Sequence, residues 1–105
     1  MSRKLILIPR KSRMEGVYSS ALRYGIIPEG VTVKSDSLRS KFMLDVDKVT
    51  VFGLIGSGED NPDNLRGWCF DSIQMHLDVI PMIDDYLLDT IKLINRGAGG
   101  ISLIS

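Results

Sequence analysis

The sequence predicts one α+β domain over residues 1–105, with a small, mostly antiparallel sheet, one N-terminal helix and a C-terminal helical pair packed on one face. Three observations lead to this fold class. Short apolar runs of strand length occur in the first half of the chain. The apolar positions change phase at Asp47-Lys48, which is typical of a tight hairpin or of a bulge. A strand followed by a helix at the start of the chain also permits an α/β variant, but this hairpin signal favours α+β. The last third carries apolar residues at the spacing of amphipathic helices.

The first half of the chain is expected to form a strand, a helix and a second strand. Leu5–Ile8 is a continuous apolar run, which is the pattern of a buried strand. Ser12 followed by Glu15 fits a capping box, so we expect a helix over 13–24 with Ser12 as its N-cap. A short strand is expected over 31–33.

The second half is expected to contain two strands, two helices and an apolar end. Residues 42–46 alternate between apolar and polar side chains, and residues 49–55 are apolar on both faces, as in a central strand. Helical spacing predicts two helices, 67–78 and 81–96. The apolar segment Ile101–Ile104 predicts either an edge strand or a segment docked on a neighbouring subunit.

The composition is that of a globular protein without disulfides. The chain has 105 residues, of which 44% are hydrophobic and 25% charged, and its one cysteine is Cys69. These values exclude a disordered chain and a disulfide-rich scaffold, and the length fits one domain. No apolar run approaches the roughly 18 residues of a membrane span, and Leu5–Ile8 is too short for a signal peptide. We therefore expect a cytoplasmic protein with no membrane contact.

The charges balance overall but are unevenly distributed along the chain. Residues 1–41 carry nine basic and three acidic side chains, whereas residues 42–105 carry four basic and ten acidic ones. A basic face would attract a phosphate-rich or acidic partner. The same distribution would also arise if the two halves neutralise each other across the fold or support self-association.

The residues that catalysis or metal binding require are scarce. One histidine, His76, and one cysteine, Cys69, do not fill the four positions of a zinc site. On one helix their seven-residue separation is about 10.5 Å, too long for a thiolate–imidazole pair. The glycine-rich segment 53–58 matches neither the dinucleotide fingerprint nor the P-loop, and the acidic loop 60–64 lacks EF-hand spacing. We therefore predict no enzyme activity, no metal and no cofactor.

A basic cluster lies at the predicted start of the first helix. Arg10, Lys11 and Arg13 surround Ser12, and a helix N-terminus favours anions. Positive side chains at this position oppose the helix dipole, an inconsistency that is typical of functional residues. The predicted anion-binding residues are this cluster with one tyrosine and one further arginine: Arg10, Lys11, Ser12, Arg13, Tyr18 and Arg23.

These observations favour a small, non-catalytic binding or regulatory protein that acts through contact with a protein partner and through self-association. The candidate interface between copies is the apolar end of the chain, at Ile101, Leu103 and Ile104. The alternative is a protein that binds the phosphate of a nucleotide or nucleic acid, with Tyr18 and Tyr24 stacking on bases. Small chains without a catalytic constellation are common among inhibitory proteins of phages and mobile elements, and this association suggests such an origin.

Overall fold

The described part of the chain forms five strands, two α-helices and one 3₁₀ helix. The computed structural model describes residues 3–12, 15–26, 43–46, 49–55, 69–95 and 100–105. Their elements, in chain order, are β1 (Lys4–Pro9), α1 (Val17–Arg23), β2 (Met43–Val46), β3 (Val49–Leu54), β4 (Ser72–His76), a 3₁₀ helix (Leu77–Met82), α2 (Asp85–Ile94) and β5 (Ile101–Ile104).

The five strands form one sheet in the order β2-β3-β1-β4-β5. β1 is central and pairs in parallel with β3 and β4, and β4 pairs in parallel with β5. The edge strand β2 runs antiparallel to β3. The predicted α+β fold with a mostly antiparallel sheet is therefore wrong, because four of the five described strands are parallel.

Helices cover both faces of this sheet, and this explains why its central strands are apolar on both sides. Alternate residues of each strand point to opposite faces. The α2-side core consists of these buried residues: Leu5, Leu7, Phe52, Leu54, Phe70, Ile73, Met75, Val79, Leu87, Ile91 and Ile94. The α1-side core consists of Ile6, Ile8, Val17, Ala21 and Val51. α1 and α2 therefore pack on opposite faces of the sheet, a two-sided arrangement that the predicted fold did not contain.

The opposite positions of the helices follow from the strand order. The connection from β1 leads through α1 towards β3 on one side, whereas the connection from β4 leads through α2 to β5 on the other side. Crossovers between parallel strands are almost always right-handed. Two right-handed crossovers that progress in opposite directions place their helices on opposite faces, as α1 and α2 are placed here.

The described part of the expected helix over 67–78 is mainly the strand β4 (Ser72–His76), and its last two residues begin the 3₁₀ helix. Ile73 and Met75 are buried, whereas Gln74 and His76 are partly exposed, and this alternation has the two-residue period of β4. The apolar residues at 69, 70 and 73 fit helical spacing, but so short a run does not distinguish helix from strand. Pairing with β1 and β5 decides the outcome. The predicted C-terminal helical pair therefore reduces to the 3₁₀ helix and α2.

The N-terminal helix is present but starts later than the expected residue 13. Gly16 is the N-cap of α1, and no side-chain hydrogen bond caps this end of the helix. Ser12 is therefore not the N-cap, and its carbonyl instead accepts from the backbone N–H of Glu15 (3.2 Å) in a turn. The helix ends at Arg23 and Tyr24 is its C-cap. Gly25 follows with a φ of 66°, a left-handed conformation that glycine adopts without strain.

Several other predicted elements are confirmed. Strands occur at both sides of the predicted hairpin, where Val46 pairs with Val49 in an antiparallel ladder. The helix expected over 81–96 is present as α2, but it starts later, at Asp85, because residues 81–82 belong to the 3₁₀ helix. The Asp84 side chain is its N-cap and accepts from the backbone N–H of Leu87 (2.7 Å). The apolar end forms the edge strand β5. The strand expected over 31–33 lies outside the described residues.

No helix in the described part of the chain is long and apolar enough to span a membrane.

We expect β1 to stabilise the fold mainly through the burial of its apolar side chains. Leu7 of β1 is 0% exposed, whereas Leu93 of α2 is 60% exposed. Leu7→Ala should lower the free energy of unfolding by about 3 kcal/mol, because it removes buried methyl groups and leaves a cavity. The matched control Leu93→Ala should change it by less than about 0.5 kcal/mol. Urea denaturation followed by circular dichroism measures both, and equal losses would contradict the described packing.

Candidate functional site

The strand order changes direction between β1 and β4. From β1 the chain proceeds to β3 on one side, and from β4 it proceeds to β5 on the other. At such a point the two connections leave the carboxyl ends of neighbouring strands in opposite directions, and ligands of open α/β sheets bind in the crevice between them. Residues 10–12 follow β1 and residues 76–78 lie at the end of β4. We call the region between these two segments the switch crevice.

Arg10 ties the loop that follows β1 to the sheet. Its backbone N–H donates to the Leu54 carbonyl (2.7 Å), and Nη1 donates to the Glu15 carbonyl (3.0 Å). The side chain lies across Gly53 of β3, where a Cβ atom would come within 2.5 Å of Arg10 Cγ and 2.7 Å of Cδ. Arg10 is 5% exposed. Its side chain therefore positions the loop beside the crevice, and the missing side chain of Gly53 makes room for it.

The Glu15 carboxylate accepts hydrogen bonds from both this loop and α1. The donors are Ser20 Oγ, Arg23 Nη2 (2.7 Å) and the backbone N–H of Lys11 (3.4 Å). The hydrogen bond from Ser20 is the main cause that lowers the pKa of Glu15, and burial opposes it. The backbone bond from Lys11 and the positive charges of Arg23 and Lys11 lower this pKa further. The network holds the loop and α1 together and neutralises the Arg23 cation.

An aromatic contact joins the end of α1 to the end of β4. The ring centroids of Tyr24 and His76 lie 4.4 Å apart. Tyr24 Oη donates to Asp78 Oδ2 (3.4 Å), and burial is the main cause that raises the pKa of the Tyr24 phenol. His76 Nδ1 accepts from the backbone N–H of Asp78 (3.1 Å). These contacts hold the His76 ring between Tyr24 and the start of the 3₁₀ helix.

The predicted basic residues fall into two groups in the structure. Lys11 and Ser12 are exposed at the carboxyl end of β1, beside the switch crevice. Arg10 is buried, whereas Arg23 is exposed and forms an ion pair with Glu15 at 2.7 Å. Arg13 lies outside the described residues. The exposed charge of the described cluster is therefore that of Lys11.

The predicted stacking role of the tyrosines competes with contacts that these rings already make. Tyr18 packs against the α1-side core, and Tyr24 packs against the same core. The Arg23 Cζ atom also lies 4.9 Å from the centroid of the Tyr24 ring. A nucleobase stacked on Tyr24 would compete with both Arg23 and His76. Hydrogen bonding and charge, rather than stacking, are what the described residues offer a ligand.

The predicted interface residues do not share one environment. Ile101 and Leu103 are 45% and 56% exposed, respectively. Ile104 is partly buried and packs against the α1-side core, so its side chain contributes to the fold of its own chain.

The contribution of β4 to the crevice does not follow from the expected helix over 67–78. Such a helix places His76 away from the basic cluster. The signal that reveals its position is the alternation of Ile73 and Met75, which makes the segment a strand ending at His76. A second signal is the isolated glycine in the apolar run 49–55, since a glycine within a strand indicates a close approach, here by Arg10.

The arrangement favours holding an anion over activating a nucleophile. Ser20 is fully buried, and the lowered pKa of Glu15 makes its hydrogen-bonded carboxylate a weak base. His76 Nδ1 is already engaged by a backbone N–H. Within the described ranges, no group of three or more His, Cys, Asp or Glu side chains could hold a metal ion.

Gly53 leaves space that the Arg10 side chain occupies. Gly53→Ala should lower the free energy of unfolding by about 1–3 kcal/mol, because the new methyl group displaces the Arg10 side chain. The control is Gly16→Ala, where φ is −74° and no atom lies within 4 Å of an added Cβ. Urea denaturation gives the stabilities, and amide NMR shifts at Glu15 report the displaced guanidinium. Unchanged shifts and stability in Gly53→Ala would contradict this packing.

The stability of the fold should depend on pH through Glu15. The pKa of Glu15 lies below its ordinary value of 4.5 in the folded chain, so its carboxylate stabilises the fold above about pH 4.5. That contribution is lost as the pH falls through the folded-state pKa. Glu15→Gln should therefore lower the free energy of unfolding by about 1 kcal/mol at pH 7, with a difference that shrinks on acidification.

Urea denaturation between pH 7 and about pH 3 measures this difference. Asp89→Asn is the matched control, because Asp89 is exposed on α2, away from the Glu15 network. A Glu15→Gln difference that stays constant over the whole pH range would rule out the proposed titration.

Comparison of the chain with known protein families, with curated proteins and with solved structures finds no match. The candidate site is therefore defined by the geometry of the switch crevice alone.

Proposed function

We propose that the protein is a small, non-catalytic binding protein whose switch crevice holds a phosphate-bearing small ligand, such as a nucleotide. The observation that carries this proposal is the place of Lys11 and Ser12. Both are exposed at the carboxyl end of β1, next to the end of β4, where the strand order changes direction.

The donors around the crevice match the chemistry of a phosphate group. The Lys11 ammonium supplies a positive charge with three donors, and the Ser12 hydroxyl supplies another donor. His76 lies at the end of the neighbouring strand, with 12% of its side chain accessible. Phosphate oxygens accept such hydrogen bonds, and those from a charged donor are about twice as strong as neutral ones.

The acidic side chains nearby are partly neutralised, which supports an anionic ligand. Glu15 is engaged by Ser20, Arg23 and the Lys11 backbone. Asp78 is the more exposed carboxylate, with 63% of its side chain accessible. It would be expected to repel a second phosphate close to β4, so the proposal favours phosphate binding at the β1 side of the crevice.

The predicted regulatory role through a protein partner remains a prediction. The phosphate proposal differs from the predicted alternative in the residues that hold the ligand and in their place in the fold. The helix begins at Val17 rather than near Ser12, so the ligand would be held by the loop after β1 and not by a helix N-terminus.

We expect ATP to bind in low-salt buffer and adenosine to bind much more weakly, because only ATP carries phosphates. Lys11→Ala should weaken ATP binding about tenfold, the effect of losing one charge-assisted hydrogen bond. Isothermal titration calorimetry measures the affinities, and amide NMR shifts at residues 11–12 and 76–78 locate the site. Lys92→Ala is the matched control, since Lys92 is exposed near the end of α2.

Three results would count against the proposal. ATP could fail to produce heat or NMR shifts. Lys11→Ala and Lys92→Ala could weaken binding equally, which would indicate non-specific charge attraction. A single-stranded oligonucleotide could bind more tightly than ATP and show a steep salt dependence, which would indicate a nucleic-acid binder instead.

A further inference from the structure

β5 is an edge strand of the sheet. It pairs with β4 on one side, and the described part of the chain places no strand on its other side. Soluble proteins usually protect such edges with charged side chains or proline. The segment Ile101–Ile104 contains neither, and Ile101 and Leu103 are 45% and 56% exposed.

The outward backbone groups of β5 can be assigned from its pairing with β4. The Ile73 N–H donates to the Gly100 carbonyl (3.4 Å), so Gly100 directs its backbone towards β4. In a parallel ladder alternate residues direct their N–H and C=O groups to opposite sides of the strand. Ser102 therefore also bonds towards β4, whereas Ile101 and Leu103 direct their N–H and C=O groups to the open edge.

We propose that β5 pairs antiparallel with β5 of a second copy of this chain, which joins the two sheets into one. In the register that this geometry favours, Ile101 of one copy lies opposite Leu103 of the other, and Ser102 lies opposite Ser102. The outward groups of Ile101 and Leu103 then form four hydrogen bonds between the copies. The pairing is isologous, as a two-fold axis requires.

The side chains of β5 are self-complementary in this register. Directly opposed residues of an antiparallel pair share a face of the sheet. Ile101 and Leu103 from both copies therefore meet on the α2 side and cover each other's exposed apolar surface. The two serines meet on the opposite face, where small side chains let the strands approach.

The charge pattern fits a second copy as the occupant. β5 has no charged residue, so the two strands meet without like-charge repulsion. The whole chain carries 13 basic and 13 acidic side chains, so two copies carry no net charge that would oppose their association. An acidic or basic partner strand would find no complementary charge on β5.

Sedimentation velocity tests the proposal directly. The wild-type chain should sediment as a dimer at tens of micromolar protein, and Leu103→Lys should sediment as a monomer because the two new charges would lie close together across the axis. Leu93→Lys should remain dimeric, since Leu93 is equally exposed, at 60%, but lies on α2. A monomeric wild-type chain, or a dimeric Leu103→Lys, would overturn the proposal.

A crosslinking experiment tests the register without a charge that could disturb folding. In a Cys69→Ser background, which removes the exposed natural thiol, Ser102→Cys should form a disulfide-linked dimer under mild oxidation. The Cα atoms of a non-hydrogen-bonded antiparallel pair lie about 4.5 Å apart, within disulfide range. Ser19→Cys is the control because Ser19 is exposed on α1. Equal crosslinking of the two variants would refute the β5 interface.

Discussion

The structure depends on the burial of β1 on both of its faces and along both of its edges. Its backbone pairs in parallel with β3 and β4, while Leu5 and Leu7 point to one face and Ile6 and Ile8 to the other. Each of these side chains gains about 1.5–3 kcal/mol by leaving water. One layer of helices would leave half of them exposed. A central strand of this composition therefore requires helices on both faces, and the crossovers that place them there make the sheet parallel.

The same requirement creates the candidate site. Connections that leave β1 and β4 towards opposite sides separate at the carboxyl ends of these strands, which opens the switch crevice beside Lys11 and Ser12. The loop after β1 needs an internal anchor, because it must turn away from the sheet without a helix cap. Arg10 provides it by crossing Gly53 and bonding to the Glu15 carbonyl. A buried arginine thus anchors the loop that carries the exposed Lys11.

The sequence predicts the local elements better than their pairing. β1, the β2–β3 ladder, most of α2 and the terminal strand follow from apolar runs, the change of phase and helical spacing, because these signals act within a few residues. The 67–78 segment does not, because strand and helix spacings overlap in so short a run and pairing with β1 decides between them. The residues of the candidate site show the same contrast between local signals and strand pairing. Lys11 and Ser12 are visible as part of a basic cluster, but His76 joins them only once parallel order is known.

Strand β4 belongs both to the switch crevice and to the ladder that carries the free edge, because His76 pairs in register with Ile104. The two surfaces nevertheless use different groups. The backbone groups that bind β5 to β4 come from Gly100 and Ser102, whereas those that face a second copy come from Ile101 and Leu103. Pairing at the edge therefore leaves the β4–β5 ladder intact. It follows that association of copies and binding of a ligand would use different groups of the chain, and that each can be altered separately by substitution.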